Sequence, residues 1–192
     1  MKNPTYVIID NEKYDINTDF RVAIKCQAVA EDETICDEER ALAIIYLLFG
    51  KKGLQSNKYD ELLEKAKYFL SCGKEIKTTN EKPDMDYIED MDYIEASFMS
   101  DFHIDISDIK MHWWKFNKLI NGLSNSEMGN CCVFNRIRNL RNYDLSKVED
   151  LKERQKLRKA QEEVALKKYS NKKVATEQQR KNAEEFIKSL MK

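Results

Sequence analysis

Residues 37–50 read Asp-Glu-Glu-Arg-Ala-Leu-Ala-Ile-Ile-Tyr-Leu-Leu-Phe-Gly. The acids at the front sit where a helix N-terminus favours carboxylates, and Asp37 can cap the first free amides. The run from Ala41 to Phe49 has almost no polar face, and Gly50 is a natural stop for the helix. A short helix that is apolar all round belongs in the middle of a helical domain. Its nine apolar residues are too few to cross a bilayer, which needs about 20.

Upstream, Thr5–Ile9 is β-prone, Asp10-Asn11-Glu12 is turn-like and Lys13–Ile16 alternates polar and apolar. This pattern predicts a small hairpin. Thr18 or Asp19 then caps a helix to about Glu31, with Phe20, Ala23, Ile24 and Gln27 at helical spacing.

Downstream, Tyr59, Leu62, Leu63, Ala66, Phe69 and Leu70 mark a third helix that Gly73 ends, and 74–83 is a polar loop. A tandem near-repeat follows, Met85-Asp-Tyr-Ile-Glu-Asp90 and Met91-Asp-Tyr-Ile-Glu-Ala96. Six residues turn a helix by about 600°, so two helical copies cannot show the same face. The second copy reads as helix, with Met91, Ile94, Phe98 and Phe102 on one stripe. The acids of both copies, lacking EF-hand spacing, read as a solvated face.

His103–Ile106 reads as an extended link. A helix from Met111 to about Leu123 carries Trp113, Phe116, Ile120 and Leu123 inward. Ser124 to Ser126 can cap another helix to about Tyr143, with Val133, Ile137 and Leu140 inward. From Leu145 the chain is charged and helix-prone with irregular apolar residues.

Only five glycines and two prolines in 192 residues argue against a many-turned β-sandwich. The fold expected is mainly α: a small N-terminal β-hairpin, a compact helical bundle, and a charged C-terminal helical extension. The division expected is 1–144 for the body and 145–192 for the extension. Phe20, Ile94, Phe98, Trp113 and Phe116 are the expected core. Arg21 is expected to pair with an acid of the Asp86–Asp92 region.

The net charge of −1 hides a split: residues 1–110 hold 14 Lys+Arg against 24 Asp+Glu, and 111–192 hold 19 against 10. Such a polarised chain is suited to meeting charged partners or a second copy of itself. Five cysteines without CxxC spacing read as buried free thiols. No GxGxxG, Walker, GxSxG or HExxH motif occurs, so the expectation is a protein that is not an enzyme, with no catalytic residue, cofactor or metal site. Met1-Lys-Asn-Pro4 lacks an apolar signal core, which makes the cytoplasm the expected location, with no membrane association. The candidate partner-binding residues are Trp114, Arg138, Arg141, Phe186 and Leu190: an aromatic at the core margin, an arginine cluster, and apolar residues at the end of the charged extension.

The order of motifs resembles a known family. Asn11-Glu-Lys-Tyr14 precedes Thr18-Asp-Phe-Arg-Val22. Asp86–Asp90 precedes Ile94-Glu-Ala-Ser-Phe98. Phe102-His-Ile-Asp-Ile106 precedes His112-Trp-Trp-Lys-Phe116. Over roughly residues 6–150 this resembles the bacteriophage gene-product-fifteen family, and the Asp-Phe-Arg and His-Trp-Trp-Lys-Phe runs are its most specific parts. The chain departs from the pattern at His103, where the family tends to carry glycine, and at Ile88. The resemblance implies a tail-gene product, a tail assembly chaperone. Its implied partners are the tape-measure protein and tail-tube proteins, and it would be absent from the finished virion. Two alternatives stand beside it: a nucleic-acid-binding protein using the basic far half, and a structural tail or neck component. Residues 147–192 hold 14 Lys+Arg interleaved with 8 Asp+Glu, a dilution that weighs against nucleic acid.

Overall fold

The computed structural model describes residues 3–75, 83–125 and 131–170, and it is mainly α with a two-stranded N-terminal hairpin. The chain divides into two compact units. Among the described residues the first comprises 3–75 and 110–117, and the second 83–109 and 118–170.

The first unit opens with β1 (Tyr6–Ile9) and β2 (Glu12–Asp15), antiparallel, pairing Tyr6 with Asp15 and Ile9 with Glu12. Asp10 and Asn11 both have positive φ, 49° and 63°, as a two-residue primed turn requires. Helix α1 (Phe20–Ala30) is capped by Asp19, whose Oδ1 accepts the Arg21 amide at 2.9 Å. Arg21 lies against this same aspartate, its Nη1 3.3 Å from Oδ2.

Helix α2 (Asp37–Leu54) corrects three expectations. Its N-cap is Cys36 rather than Asp37, because Glu39 reaches back to accept the Cys36 amide at 3.1 Å. Gly50 breaks the helical geometry at φ 65°, ψ −160°, a conformation open essentially to glycine, yet the chain resumes a further turn to Leu54. Only Ile45, Leu48 and Phe49 of the apolar run are fully buried; Ala41–Ile44, Tyr46 and Leu47 are half-buried. A helix flanked by α1 and by α3 (Tyr59–Leu70) buries the stripe that faces them rather than its whole circumference.

The two most specific motifs of the sequence meet in this unit. The Phe20 amide donates to Met111 O at 2.9 Å, and the Trp113 amide to Thr18 O at 2.8 Å. The ring of Phe20 stacks on Phe116 with centroids 4.4 Å apart. Trp113 opens helix α5 (Trp113–Asn121), is 1% exposed, and donates from Nε1 to Leu70 O at 2.9 Å. His112 anchors the start of the hairpin through Nε2 and Pro4 O, 2.8 Å apart.

In the second unit the repeat copies take different structures. The first copy is a turn: Asp86 Oδ1 accepts the amides of Ile88 and Glu89 at 2.8 and 3.0 Å, and Asp90 Oδ2 accepts the Asp86 amide at 3.0 Å. The second copy starts helix α4 (Met91–Phe102), which buries Ile94, Ser97 and Phe98, with Met91 and Phe102 half-buried. The expected solvated acidic face is therefore overturned at Asp86 and Asp90, which are 9% and 0% exposed.

His103 ends α4 in the left-handed region, φ 53°, ψ 38°. Its amide donates to Met99 O, the bond of an αL cap, and that of Ile104 donates to Phe98 O. Glycine suits this position best. His103→Gly should raise the stability of the second unit by about 1 kcal/mol, read as a higher urea midpoint with unchanged slope.

Helix α6 (Val133–Asn142) begins later than the serines at 124 and 126 suggest. Ser124 is occupied otherwise: Asp101 Oδ2 accepts its amide at 2.7 Å, and its carbonyl accepts from Cys132 N and Asn135 Nδ2. The inward face of α6 is also not the expected one. Phe134 and Asn135 are buried, whereas Val133, Ile137 and Leu140 are half-buried. A 3₁₀ turn (Leu145–Lys147), α7 (Leu151–Glu163) and a four-residue α8 (Lys167–Ser170) complete the described chain.

Of the five cysteines only Cys26 and Cys132 are buried; Cys36 is exposed, and Cys72 and Cys131 are half-buried. Burial pushes the Cys26 thiol up to about 12, which makes it inert as a nucleophile.

Candidate functional site

A groove in the first unit, about 440 Å³, is lined by Pro4, Tyr6, Val7, Ile8 and Ile16 of the hairpin and by Glu64, Lys65, Tyr68 and Phe69 of α3. Strand alternation explains its walls. Ile9 and Tyr14 point inward and are 6% and 1% exposed, so Tyr6 and Ile8 project the other way, 48% and 58% exposed. Tyr68 lies off the buried stripe of α3 formed by Leu62, Ala66 and Phe69, and is 56% exposed. Three large apolar side chains thus stand open around one concavity, an arrangement that marks interaction sites more often than chance exposure does. None of the three was among the residues expected to bind a partner. The signal available was the uncharged run Thr5–Ile9 beside a short turn.

Trp114 stands behind this wall. It is half-buried, its Nε1 donates to Phe69 O at 2.8 Å, and its ring lies 6.0 Å from that of Tyr68. Gly73, at φ 73°, permits the approach, since a Cβ there would lie 3.1 Å from the Tyr68 hydroxyl and 3.3 Å from Trp114 Cη2.

Arg138 and Arg141 are in the second unit and already hold protein partners. Arg138 Nη2 lies 2.8 Å from Asp84 Oδ2. Arg141 grips Asp90 with two nitrogens, Nη1 to Oδ2 at 2.8 Å and Nη2 to Oδ1 at 2.7 Å, and its side chain is 10% exposed. Such a fork-to-fork pair is a strong, directional contact. Its guanidinium is directed into the protein rather than toward a surface ligand. Phe186 and Leu190 lie outside the described residues. Phe20, Ile94, Phe98, Trp113 and Phe116 are all buried.

The acidic turn also holds the chain beyond α7. Arg141 Nε donates to Val164 O at 2.7 Å, and the amides of Lys167 and Lys168 donate to the two oxygens of Glu89 at 2.8 and 2.7 Å. Lys168 Nζ lies 3.2 Å from Asp86 Oδ2. Burial pushes the Asp86 carboxyl up, but the Glu89 and Ile88 amides and the Lys168 ammonium more than offset it and hold it below the usual carboxylate value. A carboxyl depressed on folding stabilises the folded form above its unfolded pKa, and that contribution disappears as pH falls below about 4. Acidification should therefore release the Lys168 ammonium from Asp86. Glu89→Gln at neutral pH should speed hydrogen exchange of the Lys167 and Lys168 amides about tenfold while α4 amides keep their protection.

Among the described residues no group of His, Cys, Asp and Glu is arranged to hold a metal ion, and no helix is long and apolar enough to cross a membrane. The sequence matches the profile of the family described as Bacteriophage Gp15 protein over residues 2–166. No curated protein and no solved structure matches the chain.

Proposed function

Because the chain belongs to the bacteriophage Gp15 protein family, we propose that this phage protein is a tail assembly chaperone. It would bind the tape-measure protein during assembly in the host cytoplasm, assist tail-tube subunits around it, and leave before the virion is complete. It would do so without catalysis or a cofactor. The family match over residues 2–166 carries the proposal; the open groove between β1 and α3 supports it. A chaperone of a long client needs an accessible apolar surface on a water-soluble scaffold, and Tyr6, Ile8 and Tyr68 supply one.

The nucleic-acid alternative is weakened by the engagement of Arg138 and Arg141 with Asp84 and Asp90. Phosphate contacts by these arginines would first have to break those pairs.

Co-expression tests the proposal. The tape-measure protein should become soluble and co-purify with the full chain, and the chain should be missing from purified virions. An insoluble tape-measure protein with no co-purification would sink it. Retention in virions would favour a structural tail component instead.

A further inference from the structure

We infer that the outer edge of β1 takes an extended segment of a partner polypeptide as a third strand, seated in the groove against α3. The backbone carries this inference. A two-residue turn makes Ile9 and Glu12 a hydrogen-bonded pair, and bonded pairs recur every second residue in an antiparallel ladder. Val7 and Tyr14 are the next such pair, then Thr5 and Ile16, where the Ile16 amide donates to Thr5 O at 2.9 Å. The amides and carbonyls of Tyr6 and Ile8 therefore point away from β2. Among the described residues neither main chain has a hydrogen-bond partner on that side.

An open edge with apolar side chains is a template for strand addition, and this one lacks the usual guards. No charged residue interrupts Thr5–Ile9, and Pro4 lies before the strand, outside the edge it could block. The groove borders the same edge, with Val7, Ile16 and Phe69 also lining it. An added strand would satisfy the two amides and two carbonyls and place alternate side chains in the groove. A docked helix, whose backbone groups bond one another, would leave them unmet.

The opposite wall sets the charge of the occupant. Glu64 and Lys65 line the groove, and neither has an ion-pair partner among the described residues. The segment that fits has apolar residues at alternate positions, a base toward Glu64 and an acid toward Lys65. The identity of the chain that supplies it rests on the tape-measure reading; the strand geometry does not.

Two probes separate these claims. The first is a synthetic peptide, Lys-Val-Thr-Val-Glu-Val, added in excess to the full chain. Exchange of the Tyr6 and Ile8 amides should slow about tenfold, and unchanged rates would overturn strand addition. The second is Ile8→Pro, which removes only the outward amide and leaves the bonds to β2 in place. The variant should keep its helical circular dichroism and lose co-purification of the tape-measure protein. Full co-purification by Ile8→Pro would overturn strand addition while leaving the chaperone proposal standing. Should this proline disturb the hairpin, the exchange Glu64→Lys with Lys65→Glu tests the same seat, and unchanged peptide protection and client capture would count against it. Peptide protection without any client capture by the wild type would uphold the strand edge and defeat the tape-measure assignment.

Discussion

Arg141→Ala should destabilise the second unit by about 3–5 kcal/mol, because it leaves the Asp90 carboxylate buried without its charge partner. Asp90 is fully buried, and Arg141 also bonds the carbonyls of Asp84 and Val164 at 3.0 and 2.7 Å. One truncation therefore takes a donor from four acceptor oxygens, of which Asp90 Oδ2 keeps the Asp86 amide. Hydrogen exchange should rise through α4 and α6 together, since the pair joins the turn before α4 to the last turn of α6. The paired change Asp90→Leu with Arg141→Met should recover much of the loss, as apolar replacement of buried pairs often does. A small loss in the single variant would show that water enters and solvates Asp90.

This network changes the meaning of the charge split. Residues 83–109 hold nine acids and no lysine or arginine, and they look built to attract a basic partner. Much of that partner is the chain itself. Asp84, Asp86, Glu89 and Asp90 are engaged by Arg138, Lys168, the backbone of 167–168 and Arg141. The sequence shows the imbalance, but no local pattern says that positions 90 and 141 will lie together. The same blindness affects α6. Periodicity selects Val133, Ile137 and Leu140 as its core face, yet the fully buried positions are Phe134 and Asn135, and the half-buried Arg138 and Arg141 turn toward acidic partners. Apolar spacing cannot recognise a face buried through ion pairs.

Where burial is apolar and local signals agree, the elements are legible. The hairpin, the Asp19 cap and the Leu62, Ala66, Phe69 stripe follow from residue type and spacing, and the helix read from Met111 opens two residues later at Trp113. The candidate groove was less so. Its exposed apolar residues come from a strand and a helix distant in sequence, and each taken singly is an ordinary surface residue. The parity of the hairpin makes the edge at Tyr6 and Ile8 meaningful, and that parity depends on a turn of two residues, one fewer than the three turn-like positions 10–12 suggested.

Trp113→Ala should cost the first unit about 3–5 kcal/mol, the range for removing a large buried aromatic. The indole is 1% exposed, lies 5.8 Å from the Phe116 ring, and holds the Leu70 carbonyl at the end of α3. Its loss opens a cavity and leaves that carbonyl unmet, so neighbouring Phe20, stacked on Phe116, should loosen with it. Trp114 then remains as the sole tryptophan, and its fluorescence should report the earlier urea transition directly. Trp114→Ala is the informative contrast. That side chain is half-buried beside Tyr68, so its removal should cost less stability and should reshape the groove wall instead. The adjacent pair thus divides one motif between two tasks. Trp113 fastens α3 to the segment that meets Thr18–Phe20, and Trp114 supports Tyr68 at the wall of the groove proposed for a partner strand. A Trp113→Ala variant with near-wild-type stability would break this division and move the first tryptophan to the binding face.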